Sequence, residues 1–140
     1  MTTTATLEYL TTHGIKPSQQ RIAVMDYLMK HHTHPTVEEI YNALHSKMPT
    51  LSKTTVYNTL KVLTEQGAIL QLTIDEHCSC FDADMTPHAH FLCNKCGKVY
   101  DLALKDEELV KLVNMPEGVR IDISALYFRG CCSKCMTKEK

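Results

Sequence analysis

The sequence predicts an α+β protein in two parts: a helical first half closed by a short hairpin, and a smaller strand-rich second half stapled by cysteines. Three observations carry this. Four segments with helical apolar spacing occupy residues 3–66. After Gly67 the periodicity changes to short strand-like stretches. Two Cys-x2-Cys pairs, Cys93 with Cys96 and Cys132 with Cys135, then bracket the second half.

The elements follow in order. Residues 3–13 place Leu7 and Leu10 on one helical face and end at Gly14, a usual helix stop. Residues 17–31 repeat apolar side chains at Ile22, Val24, Met25 and Leu28, and open on a proline suited to a first turn. Thr36-Val37-Glu38-Glu39 is a capping box, and its helix turns Val37, Ile40, Tyr41 and Leu44 inward. Residues 52–66 bury Val56, Leu60 and Leu63 and stop at Gly67. Strands over 68–73 and 78–82 flank the turn-prone Asp75-Glu76. Compact helices followed by such a hairpin form the pattern of a winged helix.

Residues 84–87 read as a hinge. Strands over 88–93 and 98–102 flank the first cysteine pair, and 106–114 read as a short helix with an acidic start. Val119, Ile121 and Ile123 alternate with Arg120, Asp122 and Ser124, which predicts a half-buried strand over 119–128. A charged tail follows the second pair. The organisation expected is a winged-helix domain over 1–83, a hinge over 84–87 and a small α/β domain over 88–140. The latter is too small to be comfortable without a staple.

Composition bounds the partners. The chain has 140 residues, 44% hydrophobic and 22% charged, which is ordinary globular usage and excludes a disordered chain. The opening MTTTATLEYL has neither the basic nor the apolar region of a signal peptide, and the apolar runs are far short of a membrane span. A soluble, cytoplasmic protein without a membrane partner is expected. Net charge is −1; residues 1–66 carry 6 Lys+Arg against 5 Asp+Glu, and 67–140 carry 9 against 11. Any affinity for nucleic acid must therefore come from a local patch.

Seven cysteines are an odd count, unsuited to a closed disulfide framework. Without a secretory signal, paired Cys-x2-Cys turns read first as a metal site. Each turn presents two thiolates to one ion, and zinc takes four such ligands in a tetrahedron. Cys93, Cys96, Cys132 and Cys135 are thus a structural Zn2+ site, with Lys95, Lys98 and Lys134 near enough to offset its negative charge. Buried free cysteines are the plainer alternative. Cys131 could replace Cys132 with a one-residue change of register.

His88-x-His90 is a second constellation. Residues two apart on a strand share a face, so both imidazoles can reach one ion. Asp82 lies just before the hinge, Asp101 on the strand after the first cysteine pair, and His34 at the start of the third helix. Read alone, His34 is simply packing there.

The candidate for reading DNA is the helix beginning Ser52-Lys53-Thr54-Thr55-Val56-Tyr57-Asn58. Its inward positions leave Lys53, Thr54, Thr55, Tyr57, Asn58 and Lys61 largely free. Hydroxyls and amines suit phosphate, while Asn58 and the Tyr57 ring can reach base edges or a thymine methyl. A solvated polar face on a core helix is the competing reading.

At this point the chain resembles the ferric uptake regulator family over nearly its whole length. The residues that carry the resemblance are Pro17-Ser18-Gln19-Gln20-Arg21, His34-Pro35-Thr36, Thr55-Val56-Tyr57-Asn58-Thr59-Leu60 and His88-Ala89-His90. Cys93-x2-Cys96-Gly97-Lys98 and the closing Cys-x2-Cys complete the pattern. The resemblance implies a homodimeric repressor of a double-stranded DNA operator, with the second domain as its dimerisation domain. Arg21 and Ser52 join the DNA-contact candidates. It also implies a regulatory Fe2+ or Mn2+ held by His34, Asp82, His88, His90 and Asp101.

Within the family the chain is most similar to the peroxide-responsive repressors. Asp82 and Asp101 stand where iron sensors more often carry Glu, the helix reads Tyr57-Asn58 rather than Tyr-Arg, and Pro87 and Ala89 replace the His-x-Asp of an additional metal site. With Fe2+ bound, the resemblance implies that peroxide oxidises His34 or His88 and so releases the operator. The alternative is an iron, manganese or zinc uptake regulator that senses metal alone. One feature departs from the family: Cys78, Cys80 and Asp82 would share a face of one strand, making Cys78 and Cys80 candidates for a redox or metal-guarding role.

An enzyme is not expected, nor a small organic substrate. A metallohydrolase would need an open ligand position and a general base. A redox Cys-x2-Cys pair usually accompanies a βαβ pattern, which is missing here. A protein–protein module that has lost DNA remains the third reading, because the net charge is near zero.

Overall fold

The computed structural model describes residues 2–75, 78–86, 88–104, 109–122 and 124–138. The chain divides into two compact units, Met1–Met85 and Thr86–Lys140. The division falls inside the segment 84–87, of which Pro87 lies outside the described residues.

The first unit is a winged helix. Helices α1 (Thr2–Thr12), α2 (Gln19–Lys30), α3 (Val37–His45) and α4 (Lys53–Glu65) precede strands β1 (Leu70–Leu72) and β2 (Cys80–Asp82). The strands pair antiparallel, Leu70 opposite Asp82 and Leu72 opposite Cys80. Leu10, Val24, Met25, Leu28, Ile40, Val56, Leu60 and Leu63 converge in one core from all four helices. Burial of each such side chain contributes about 1.5–3 kcal/mol.

Three helices are capped as their sequences require. Thr36 accepts from the Glu39 backbone N–H and Ser52 from that of Thr55. The second helix starts later than the sequence suggests. Ser18 is its N-cap, accepting from the Arg21 N–H, so Pro17 stands outside the helix and not in its first turn. The capping hydroxyl satisfies an orphan amide, which the preceding proline, with no side-chain acceptor, cannot do. The hairpin is also shorter than expected, because Cys78 precedes β2. Glu76, in the expected turn, lies outside the described residues.

The second unit carries β3 (His88–Cys93), β4 (Val99–Ala103), a 3-10 turn Leu109–Leu112, β5 (Tyr127–Gly130) and α5 (Ser133–Lys138). The sheet order is β4-β3-β5, antiparallel between β3 and β4 and parallel between β3 and β5. Two expectations are corrected. The strand anticipated over 119–128 is confined to Tyr127–Gly130. Val119 and Ile121 are exposed and no described neighbour pairs with them, and alternation alone makes no ladder without a partner strand. Ile123 lies outside the described residues. The helix expected over 106–114 is reduced to the 3-10 turn, with 106–108 outside the described residues. The end of the charged tail, 139–140, lies outside them too.

Candidate metal centres and nucleic-acid face

In the first unit, one backbone kink places an imidazole against a carboxylate. His34 takes φ +58, the left-handed region that histidine enters more readily than most side chains. The kink lays Pro35-Thr36 along β2: the Phe81 N–H donates to the Pro35 carbonyl at 3.0 Å, and Thr36 bridges Cys80. His34 Nε2 then lies 3.5 Å from Asp82 Oδ2, with both side chains buried. The other oxygen, Oδ1, accepts from the Asp84 N–H at 2.9 Å, which orients the carboxylate.

The second unit has its own set. His90 and Asp101 are cross-strand partners on β3 and β4, and His88 lies two residues away on the same face. Asp101 Oδ1 is 3.2 Å from His90 Nε2 and 3.3 Å from His88 Nε2. The His88 Nδ1 stands 2.6 Å from the Thr86 carbonyl. A proton on Nδ1, donated there, leaves Nε2 as the ligating nitrogen. Two imidazole nitrogens facing one carboxylate oxygen are a donor set for a cation, and imidazole with carboxylate suits Fe2+ or Mn2+ better than thiolates do.

The four sulfurs of Cys93, Cys96, Cys132 and Cys135 lie within 4.8 Å of one another. Cys93 Sγ is 3.7 Å from Cys135 Sγ, and Cys96 Sγ is 3.8 Å from Cys132 Sγ. A tetrahedron with zinc–sulfur bonds of about 2.3 Å has edges of about 3.8 Å, so the thiols fit that ion. Gly97, at φ +75, lets the chain reverse after Cys96 so that its N–H returns to the Cys93 carbonyl.

The Cys96 and Cys132 backbone amides donate to Cys93 Sγ and hold that thiol down at about 5. Cys132 is lowered by the Cys135 amide and then by the Tyr100 hydroxyl. Cys135, donating to Cys132, is pushed up to about 12. Such sulfurs share positive charge, which a divalent cation supplies directly. Tyr100 and Tyr127, whose ring edges against His90 at 6.1 Å, support these sites without any motif to mark them in the sequence.

Cys80 is buried, and desolvation, followed by the charges of Cys78, Asp75, Asp82 and Glu39, pushes its thiol to about 12. Cys78 is exposed, off the strand, 3.9 Å from Asp75, and raised chiefly by desolvation. The shared face expected for Cys78 is therefore not formed, and neither thiol is poised as a thiolate.

On α4, Tyr57, Asn58, Lys61 and Thr54 are exposed, and Thr55 is half-buried. Lys53 is committed elsewhere: its Nζ meets Glu38 Oε1 at 2.9 Å and lies over the Tyr41 ring. Ser52 is occupied as the cap. Arg21 donates from Nη1 to the Lys16 carbonyl at 2.9 Å. A cavity of about 400 Å3 joins the two helices, lined by Lys16, Ser18, Gln20, Arg21, Thr55 and Asn58. Lys16 and Gln20 escape a reading by periodicity, since one sits in a loop and the other in a cap turn.

A winged helix followed by a three-stranded unit that gathers four thiols defines a metal-responsive transcriptional regulator. Residues 12–128 match the Ferric uptake regulator family, and the chain belongs to it. The chain is 36% identical to the peroxide operon regulator of Bacillus subtilis, covering 95% of this chain and 92% of that protein. Its fold is similar to the Helicobacter pylori ferric uptake regulator, with TM-score 0.74, 24% identity and coverage of 96% and 93%. It is also similar to PerR of Streptococcus pyogenes, a structure concerned with peroxide sensing and gene regulation, at 27% identity, TM-score 0.53 and coverage of 95% and 92%. Among the described residues, no helix is long and apolar enough to cross a membrane.

Proposed function

We propose that this protein is a cytoplasmic, homodimeric repressor that binds operator DNA when a regulatory metal is present and lets go when peroxide oxidises a metal ligand. It is not an enzyme on this reading. The observation that carries it is the pair of imidazole–carboxylate sets, one in each unit, His34 with Asp82 and His88 and His90 with Asp101. The similarity to the Bacillus subtilis peroxide operon regulator supports the peroxide signal.

In this reading residues 1–83 bind DNA, 84–87 are the hinge and 88–140 form the dimer. Cys93, Cys96, Cys132 and Cys135 hold a structural Zn2+. His34 and Asp82 join His88, His90 and Asp101 in ligating one Fe2+ or Mn2+, which fixes the angle between the domains. In a two-fold dimer that angle sets the spacing of the two α4 helices, and only the correct spacing meets both half-sites. Moving a population from 1:99 to 99:1 requires a preference of about 5.5 kcal/mol, within reach of five ligands.

Arg21, Thr54, Thr55, Tyr57, Asn58 and Lys61 contact the operator, with Ser52 and Lys53 shaping the start of α4. Leu112, Val113, Met115, Val119 and Ile121 are exposed in the second unit and supply an apolar face for a second copy. Ferrous iron supplies the one-electron chemistry that activates peroxide, and manganese does not. His34 and His88 are the imidazoles whose oxidation removes a ligand.

The test is mass spectrometry of the iron-loaded protein before and after peroxide, with operator binding measured alongside. One added oxygen on a peptide carrying His34 or His88, with loss of DNA binding and none in the manganese form, is the expected result. An unmodified protein that stays on DNA leaves the metal-only uptake regulator.

A further inference from the structure

A fifth thiol lies beside the four-cysteine cluster. Gly130, the last residue of β5, pairs with Cys93 and accepts from the Asn94 N–H at 2.8 Å, which delivers Cys131 beside the first cysteine pair. The half-buried Cys131 has its Sγ 3.7 Å from the Cys132 carbonyl, and the charge of Cys93 acts on its thiol. Lys95 lies close enough to act on it electrostatically. The adjacent Cys132 reaches Cys93 Sγ through its backbone amide at 3.4 Å. Two consecutive cysteines thus stand at the same edge of the cluster, Cys132 with its amide on Cys93 Sγ and Cys131 with its thiol against the Cys132 carbonyl, and a four-coordinate ion needs only one of them.

We propose that Cys131 is an exchangeable ligand of the four-thiolate centre, able to take the place of Cys132 and so provide the route by which metal enters and leaves. The proposal rests on the reading that Cys93, Cys96, Cys132 and Cys135 hold zinc. Cys131 attacks, a zinc–sulfur bond to Cys131 forms as the bond to Cys132 breaks, and the Cys131 proton passes to the departing Cys132 sulfur. Charge and ligand count are unchanged, and no oxidant is consumed. Zinc tolerates the five-coordinate crossing point that this needs. Cys131 and Cys132 lie between the end of β5 at Gly130 and the start of α5 at Ser133, outside both elements, where an exchange between them requires no unravelling of either.

The experiment uses the full-length zinc protein and a chromophoric zinc chelator. Cys131→Ser should retain the parent's zinc content and thermal midpoint yet release zinc several-fold more slowly. Cys132→Ser should still bind zinc, through Cys131, and alkylation mapping should find Cys131 protected. The double variant Cys131→Ser/Cys132→Ser should lose it. Release from Cys131→Ser at the parent's rate overturns the proposal, as does a Cys132→Ser protein that loses zinc like the double variant. A parent that purifies with no zinc defeats the four-thiolate reading itself, and the proposal with it.

Discussion

His90 and Asp101 face each other across the β3–β4 ladder, with imidazole Nε2 3.2 Å from the carboxylate and His88 closing on the same oxygen at 3.3 Å. The backbone register, not a flexible loop, sets that separation. Asp101→Ala should therefore weaken the regulatory metal by at least about 10–100-fold while leaving zinc bound. Competitive metal titration measured beside total zinc content checks both halves of this statement.

His34 combines a side chain proposed as a metal ligand with a left-handed backbone. Glycine adopts φ +58 freely, whereas a β-branched residue pays about 1–2 kcal/mol there. His34→Gly and His34→Val both give up the buried contact with Asp82, but only valine adds backbone strain, so His34→Val should unfold at distinctly lower denaturant than His34→Gly. Both should lose metal-dependent operator binding. Equal midpoints for the two variants would remove the strain argument.

Acid should attack the four-thiol centre late. The Cys93 thiol is lowered from 9 to about 5 by the Cys96 and Cys132 amides. Its contribution to stability is fully present above the unfolded thiol's 9 and is lost as pH falls through about 5. Thiolate absorbance of metal-stripped protein should persist at pH 7 and vanish near that value.

Lys61 is exposed on α4, whereas Lys53 is held by Glu38. Lys61→Ala should weaken operator binding and reduce the salt slope by about 1. Glu38→Ala frees Lys53 and should steepen the slope. A Lys61→Ala protein with the parent's slope would move the phosphate contact elsewhere.

The exposed apolar stretch of the second unit should be the seam between copies. Ile121→Asp places a charge there and should shift the protein toward monomer in sedimentation velocity, with operator affinity falling because two half-sites are no longer linked.

Local chemistry was readable because it is written in short spacings. Thr36 and Ser52 announce caps, Val56, Leu60 and Leu63 announce a buried stripe, and paired Cys-x2-Cys turns announce a four-thiol cluster. His88 and His90 were legible as a strand pair for the same reason. What needed the tertiary structure were relationships between distant segments and the burial they create. The alternation at 119–126 could not reveal that no described strand stands beside it, and Cys80 could not reveal that burial keeps its thiol protonated. Nor could Lys53 reveal its bond to Glu38, or Cys131 its place beside the four-cysteine cluster. Periodicity follows from backbone geometry within one element, whereas partners and desolvation exist only once elements pack, and packing decided which of the candidate side chains meet.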